Sequence, residues 1–142
     1  MIKTPLTTKA FNIARRAHAG QKDKGGMPYV LHVFRVAEEM TTEIETVVAL
    51  LHDVVEDSNI TFEDLIKIGI PNIAVDALKQ LTRDKKTDYK DYIENIKQNT
   101  LATKVKLADL KHNSDINRIP NPTEYDLKRL AKYKEAIKIL EQ

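Results

Sequence analysis

"ALLHDVVED", residues 49–57, decides the fold of this chain. Apolar residues on both sides of His52-Asp53 and a second polar pair, Glu56-Asp57, leave two readings: the solvated side of an ordinary core helix, or a site built into one. A helix turns by ~100° per residue, and on one unbroken helix from about Thr42 to Asp57 the residues Ile44, Val47, Val48, Leu51, Val54 and Val55 share a broad stripe that reads as the core face. Counted from Ile44, His52 falls at ~80°, Glu56 at ~120°, Asp53 at ~180° and Asp57 at ~220°. His52 therefore sits at the margin of the stripe, with Glu56 on the same flank one turn later.

The rest of the chain reads as helices on either side. Thr7 or Thr8 can cap a first helix carrying Phe11, Ala14 and Ala17 at helical spacing. "GQKDKGG", residues 20–26, is a loop, and Pro28 suits the first position of a second helix with His32, Val36, Ala37 and Met40. Thr61 and Asp64 resemble a capping box for a helix ending at Gly69. Pro71 starts another, and Asp88 can cap the next. A further helix covers roughly 101–116 until "IPNP", residues 119–122, breaks it. Thr123 then caps a last helix with Leu127, Leu130, Ile137 and Leu140 on one face. Strand-type alternation is absent. These readings predict an all-α fold, a single compact bundle of about seven to eight helices, with residues 1–142 as one domain.

Composition narrows the chemistry. Hydrophobic residues at 42% and charged residues at 31% describe a globular chain rather than a disordered one. The chain has no cysteine, so any metal must be held by His, Asp, Glu or Asn. Lys plus Arg is 23 against 21 for Asp plus Glu, which gives no case for nucleic-acid binding. No apolar run approaches a membrane span of ~18 residues, and the N-terminus lacks a signal-type apolar segment. A cytoplasmic location is the expectation.

Further polar residues lie inside apolar helices. His32 in "PYVLHVFRVA" is one turn from Val36. Asp109 in "VKLADLKHN" sits beside Ala108, with Asn113 one turn on. A buried carboxylate without a partner is costly, so an inward Asp109 should be paired or metal-bound. His18 reads as a packed core histidine and His112 as a residue of the rim. Lysines at 22 and 24, 85 and 86, and 104, 106 and 111 suit phosphate binding if the fold gathers them.

The segments "AHAGQKDKGGMPYVLHVFRVA" (17–37), "ALLHDVVEDSNITFEDL" (49–65) and "VKLADLKHNSD" (105–115) resemble, in order and over nearly the whole chain, the hydrolase domain of the RelA/SpoT family and its small stand-alone metazoan relatives. These are HD-domain phosphohydrolases that cleave the alarmone guanosine 3′,5′-bis(diphosphate), ppGpp, of the stringent response. The resemblance implies an HD-type helical bundle in which His32, His52, Asp53 and Asp109 bind one divalent metal, Mn²⁺ in this family. The chemistry of that ligand set also suits Fe²⁺, Zn²⁺ or Mg²⁺. It implies Glu56 and Asp57 as the acidic pair that positions and activates water, and it places Lys22, Lys24, Lys106 and Asn113 against the substrate. Either acid can serve as the base; the helix angle favours Glu56.

The chain departs from the family pattern at Asp23, at Val33 after His32, and along residues 110–115. The metal and acid positions are kept while substrate-facing positions differ. The expected activity is 3′-pyrophosphohydrolysis of ppGpp to GDP and pyrophosphate, on a small-molecule nucleotide and without a synthetase. The alternatives are an HD phosphohydrolase for another nucleotide (NADPH, a nucleoside monophosphate or a dNTP) and a non-catalytic nucleotide-binding module. A binding module has no need of Glu56 and Asp57.

Overall fold

Six consecutive residues, Thr46 to Leu51, are buried on every side, and they mark the centre of the molecule. The computed structural model describes residues 1–142. It is all-helical, with no strand: α1 Pro5–Ala17, α2 Val30–Glu38, α3 Glu43–Leu51, α4 Val54–Asp57, α5 Phe62–Ile68, α6 Asn72–Leu81, α7 Tyr89–Lys97, α8 Thr100–Asn113 and α9 Glu124–Glu141, with a 3₁₀ turn at Ile116–Arg118. The central α3 packs against α1, α2, α6 and α8, which is why it is apolar all round rather than along one stripe. The core includes Val33 and Val36 from α2, Leu78 from α6, Ile93 and Ile96 from α7, and Val105 and Leu110 from α8.

The cap chemistry explains most element starts. Thr42 with Glu45, Thr61 with Asp64, and Thr123 with Asp126 each form a reciprocal capping box. Gly69 ends α5 in the left-handed region at φ 105°, where a side chain would be strained. The first helix is capped by Thr4, not by Thr7 or Thr8, because Pro5 takes the first helical position and the Thr7 hydroxyl is committed to the reciprocal half of that box. Asp88 occupies the N-cap of α7, but its side chain makes no capping bond. The second helix begins at Val30, later than Pro28, because Pro28 is held in a backbone bridge to Lys22.

Three expectations are corrected. The predicted helix over 42–57 breaks at His52-Asp53, where Asp53 adopts φ −112°, ψ 1°, which divides it into α3 and the single turn of α4. The helix predicted to reach residue 116 stops at Asn113, where Arg118 turns back and donates to the His112 carbonyl at 3.0 Å. Leu127 does not face inward: it is 50% exposed, because its neighbour Asp126 is turned inward by the Thr123 cap and by an ion pair with Lys24 at 3.1 Å.

Candidate metal centre and phosphate-facing cleft

The break at His52-Asp53 builds the site. On a continuous helix the two adjacent side chains would diverge by ~100°. Here His52 caps the end of α3 and Asp53 opens α4, and His52 Nε2 lies 3.0 Å from Asp53 Oδ2. From α2, His32 Nε2 comes within 2.8 Å of Asp109 Oδ1 on α8, and His52 Nε2 lies 3.5 Å from that same oxygen. One ligand atom from each of His32, His52, Asp53 and Asp109 falls within 4.8 Å of all the others. His32, His52 and Asp109 are buried, and the side chain of Asp53 is 20% exposed, so the group opens toward solvent on one side.

Hydrogen bonding fixes which atoms face the group. The Nδ1–H of His52 donates to the Ala49 carbonyl at 2.6 Å, which leaves Nε2 with its lone pair. That Nε2 is buried and has no hydrogen-bond partner, although two carboxylate oxygens lie close by. A lone pair against two carboxylates is repulsive unless a cation stands between them. Burial works against a charged His52, yet the adjoining Asp53 and Asp109 override it and push its pKa well above the ordinary imidazole value. The potential that favours a second proton there favours a metal cation for the same reason. These donors therefore fit a divalent ion with mixed imidazole and carboxylate ligands.

Four neighbours hold the ligands. Tyr29 donates its hydroxyl to Asp53 Oδ2. Burial alone would raise the Asp53 carboxyl, but a proton taken up by His52 in place of a metal, together with the Tyr29 hydrogen bond, brings it to about 2. Lys106 donates to Asp109 Oδ2 at 2.9 Å and Asn113 donates to Asp109 Oδ1 at 3.1 Å. Against the burial of Asp109, the Lys106 charge and the histidine contacts hold its carboxyl well below the usual range. His112 stacks on His32 with ring centroids 4.9 Å apart, and their Nδ1 atoms lie 2.7 Å apart. If His32 donates from Nδ1 to His112, its Nε2 faces the group with a free lone pair, and that is the tautomer able to bind a metal. Burial and the nearby Arg118 lower the His112 pKa to about 4, so it remains neutral near neutral pH. Its place against His32 was missed in the sequence, because the two residues are 80 positions apart.

The acidic pair lies on α4, and the angles counted along an unbroken helix no longer apply. Glu56 Oε1 accepts from the Arg83 backbone N–H at 2.6 Å and lines a cavity of about 170 Å³ together with Asp53 and Asp109. Burial and then the charge of Asp53 push its carboxyl up, against the Arg83 hydrogen bond. Asp57 is outside that cavity. Its carboxyl is raised by burial and by Asp53, and α4 packs against α1, with the Asp57 carbonyl accepting from Gln21 Nε2 at 2.8 Å. His18 is buried, with Nδ1 at 2.8 Å from Gln21 Oε1 and Nε2 unpartnered.

A cleft of about 330 Å³ adjoins the group, and Lys22, Lys24, Lys106 and Asn113 all line it with Asp53 and Asp109. The structure thus brings the four sequence-predicted substrate residues to one side, although Lys106 and Asn113 also engage Asp109. Arg118 and Arg129 join the same wall and were not singled out from the sequence. Arg118 pairs with Asp23 at 3.1 Å and donates to Asn113 Oδ1 at 3.2 Å, so the loop and the end of α8 are tied together. Gly25 sits so close to the Arg118 carbonyl that any Cβ there would collide with it. No helix is long and apolar enough to cross a membrane.

No protein-family model matches the chain. It is similar to the bifunctional (p)ppGpp synthase/hydrolase SpoT of Escherichia coli K12, at 35% identity over 119 residues, covering 74% of this chain and 17% of that protein. The guanosine-3′,5′-bis(diphosphate) 3′-pyrophosphohydrolase of Vibrio cholerae is 39% identical over 101 residues, with 66% of this chain and 14% of the relative covered. The chain thus spans less than a fifth of these bacterial relatives. The Drosophila melanogaster guanosine-3′,5′-bis(diphosphate) 3′-pyrophosphohydrolase MESH1 is 32% identical over 124 residues, covering 80% of this chain and 69% of that protein. A solved metazoan orthologue of SpoT, described as hydrolysing ppGpp and acting in starvation responses, superposes with a TM-score of 0.79 at 28% identity, over 99% of this chain and 85% of the other.

Proposed function

Because the chain belongs to the guanosine-3′,5′-bis(diphosphate) 3′-pyrophosphohydrolase family, we propose that residues 1–142 act as one metal-dependent unit that hydrolyses ppGpp to GDP and pyrophosphate. The observation that carries this reading is the orphaned Nε2 of His52, held with His32, Asp53 and Asp109 in a group that demands a cation and opens into a lysine- and arginine-lined cleft. His32, His52, Asp53 and Asp109 would hold one divalent ion, for which Mn²⁺ suits the mixture of imidazole and carboxylate. When bound, such an ion supplies an acidified water and charge neutralisation for a phosphoryl oxygen.

The chain's own residues supply the rest. Glu56 takes a proton from the attacking water as its oxygen bonds to the 3′-linked phosphorus. The bond from that phosphorus to the 3′-oxygen breaks, the 3′-oxygen gains a proton, and pyrophosphate leaves. The raised carboxyl of Glu56 suits a base that must give its proton back. Lys22, Lys24 and Arg129 offer positive charge to the nucleotide phosphates. Lys106, Asn113, Tyr29 and His112 position the ligands. The test is pyrophosphate release from ppGpp, with a panel of NADPH, nucleoside monophosphates and dNTPs as competitors. Turnover of ppGpp above all others supports the reading, and nucleotide binding without turnover under any divalent metal contradicts it.

A further inference from the structure

Two cavities meet at the metal group, and only one faces the lysine loop. The second, of about 170 Å³, shares Asp53, Lys106 and Asp109 with the larger cleft but is walled by Glu56, Arg83, Tyr89 and Lys132. Arg83 and Lys132 have no carboxylate within 4 Å; on the other side Lys24 and Arg118 are paired with Asp126 and Asp23, while Lys22 and Arg129 have no ion pair. Both free cations gather on one ring: Lys132 Nζ lies 3.9 Å and the Arg83 guanidinium 5.2 Å from the Tyr89 centroid. The Tyr89 hydroxyl is buried and has no hydrogen-bond partner. The other tyrosines of the wall are spent: Tyr92 donates to the Leu81 carbonyl and Tyr133 accepts from Arg129. Burial and the Arg83 and Arg129 charges lower the Lys132 pKa, against the more distant charge of Asp88, so the cations crowd one another at this wall.

The geometry points to a diphosphate-binding subsite formed by Arg83, Tyr89 and Lys132, in a cavity that Lys22 and Lys24 do not line. This rests on the proposed hydrolysis and deepens it: the subsite takes the diphosphate that leaves, while the lysine loop takes the remainder of the nucleotide. Glu56 is anchored to the Arg83 backbone N–H, so the proposed base and the subsite are fixed to one segment. An unpaired cation pair and an orphan hydroxyl recognise a compact, multiply charged anion by charge-assisted hydrogen bonds.

The probe is inorganic pyrophosphate, titrated calorimetrically into the 142-residue chain at a free Mn²⁺ concentration held constant by a metal buffer. Lys132→Ala and Arg83→Ala each weaken pyrophosphate binding roughly tenfold, the scale of one lost hydrogen bond to a charged group. Arg83→Ala retains the backbone N–H that Glu56 uses. Tyr89→Phe removes only the hydroxyl and weakens binding severalfold, and helical circular dichroism checks that each variant folds. Lys3→Ala, at an exposed cation that lines neither cavity, leaves pyrophosphate affinity within about twofold, and Lys24→Ala weakens it less than Lys132→Ala does. Absence of saturable binding to the wild type overturns the subsite, as does a loss confined to Lys24→Ala or spread evenly over all the variants. The binding readout does not depend on turnover, so failure to hydrolyse ppGpp would strike the proposed activity and leave this test standing.

Discussion

The metal group and the lysine loop lie across one cleft and are built on opposite principles. In the group, His32, His52 and Asp109 are buried, each comes from a different helix, and each is fixed by a further neighbour such as His112, Ala49 or Lys106. In the loop, the Lys24 side chain is 44% exposed and leans on Asp126, an ion pair that solvent can compete with. Buried charges left without partners are expensive, so the first region tolerates one geometry. Exposed pairs contribute little to stability, so the second can exchange Asp126 for a phosphate at small cost. On the proposed function, chemistry is placed where the fold is rigid, and recognition where it can yield.

Substitution should expose this contrast most strongly at the ligands. Asp109→Asn removes a ligand charge and leaves Lys106 without its anion. The expected outcome is loss of bound metal and of detectable turnover, with helicity kept, read by elemental analysis beside circular dichroism. Glu56→Gln should separate chemistry from binding: metal retained, kcat lower by roughly 10²–10⁴, and KM changed much less. Full activity in that variant, with Asp57→Asn inactive, would transfer the role of base to Asp57. The pH profile adds a sign. Glu56 must be ionised to act and its carboxyl is pushed up, so kcat/KM should fall with acid at a pH above the ordinary glutamate value of about 4.3. The residual activity of Glu56→Gln should lack that limb.

Smaller effects sharpen the comparison. His112→Ala should weaken metal affinity by roughly 10–100-fold through the loosened His32 ring, with His112→Gln recovering part of it. An unchanged metal dissociation constant would make the stacked pair mere packing. Lys24→Ala should raise KM severalfold with kcat nearly kept, an effect that shrinks as salt screens the cleft. Gly26→Ala is expected to be the mildest, destabilising by about 1–2 kcal/mol because φ is +83° with open space around the position. Its readout is a modest fall in Tm.

The same contrast explains what could be read from the sequence. Local chemistry was legible: the Thr61-Asp64 box, the stop at Gly69 and the Thr123 cap depend on residues three or four apart. His32, His52 and Asp109 stood out as polar residues inside apolar helices, and the set of four that the structure gathers within 4.8 Å was named through the family resemblance. The break at His52-Asp53 was hidden, since Val54 and Val55 continue the apolar pattern and only tertiary packing reveals the turn. Arg118, Arg129 and Lys132 carry no local signal in the sequence. Their meaning comes from contacts across the chain, such as Arg118 with Asp23, 95 positions away. Thr4 was within reach, since Pro5 beside it is a signal for the first helical position.

The central claim is that His32, His52, Asp53 and Asp109 hold one catalytic divalent ion. Its most direct test is the metal content of purified wild type and His52→Ala after identical Mn²⁺ loading and dialysis, each followed by pyrophosphate release from ppGpp. One ion per chain with turnover in the wild type, and neither in a still-helical His52→Ala, is the predicted result. Stoichiometric metal retained by His52→Ala, or undiminished turnover by metal-free wild type, would contradict it.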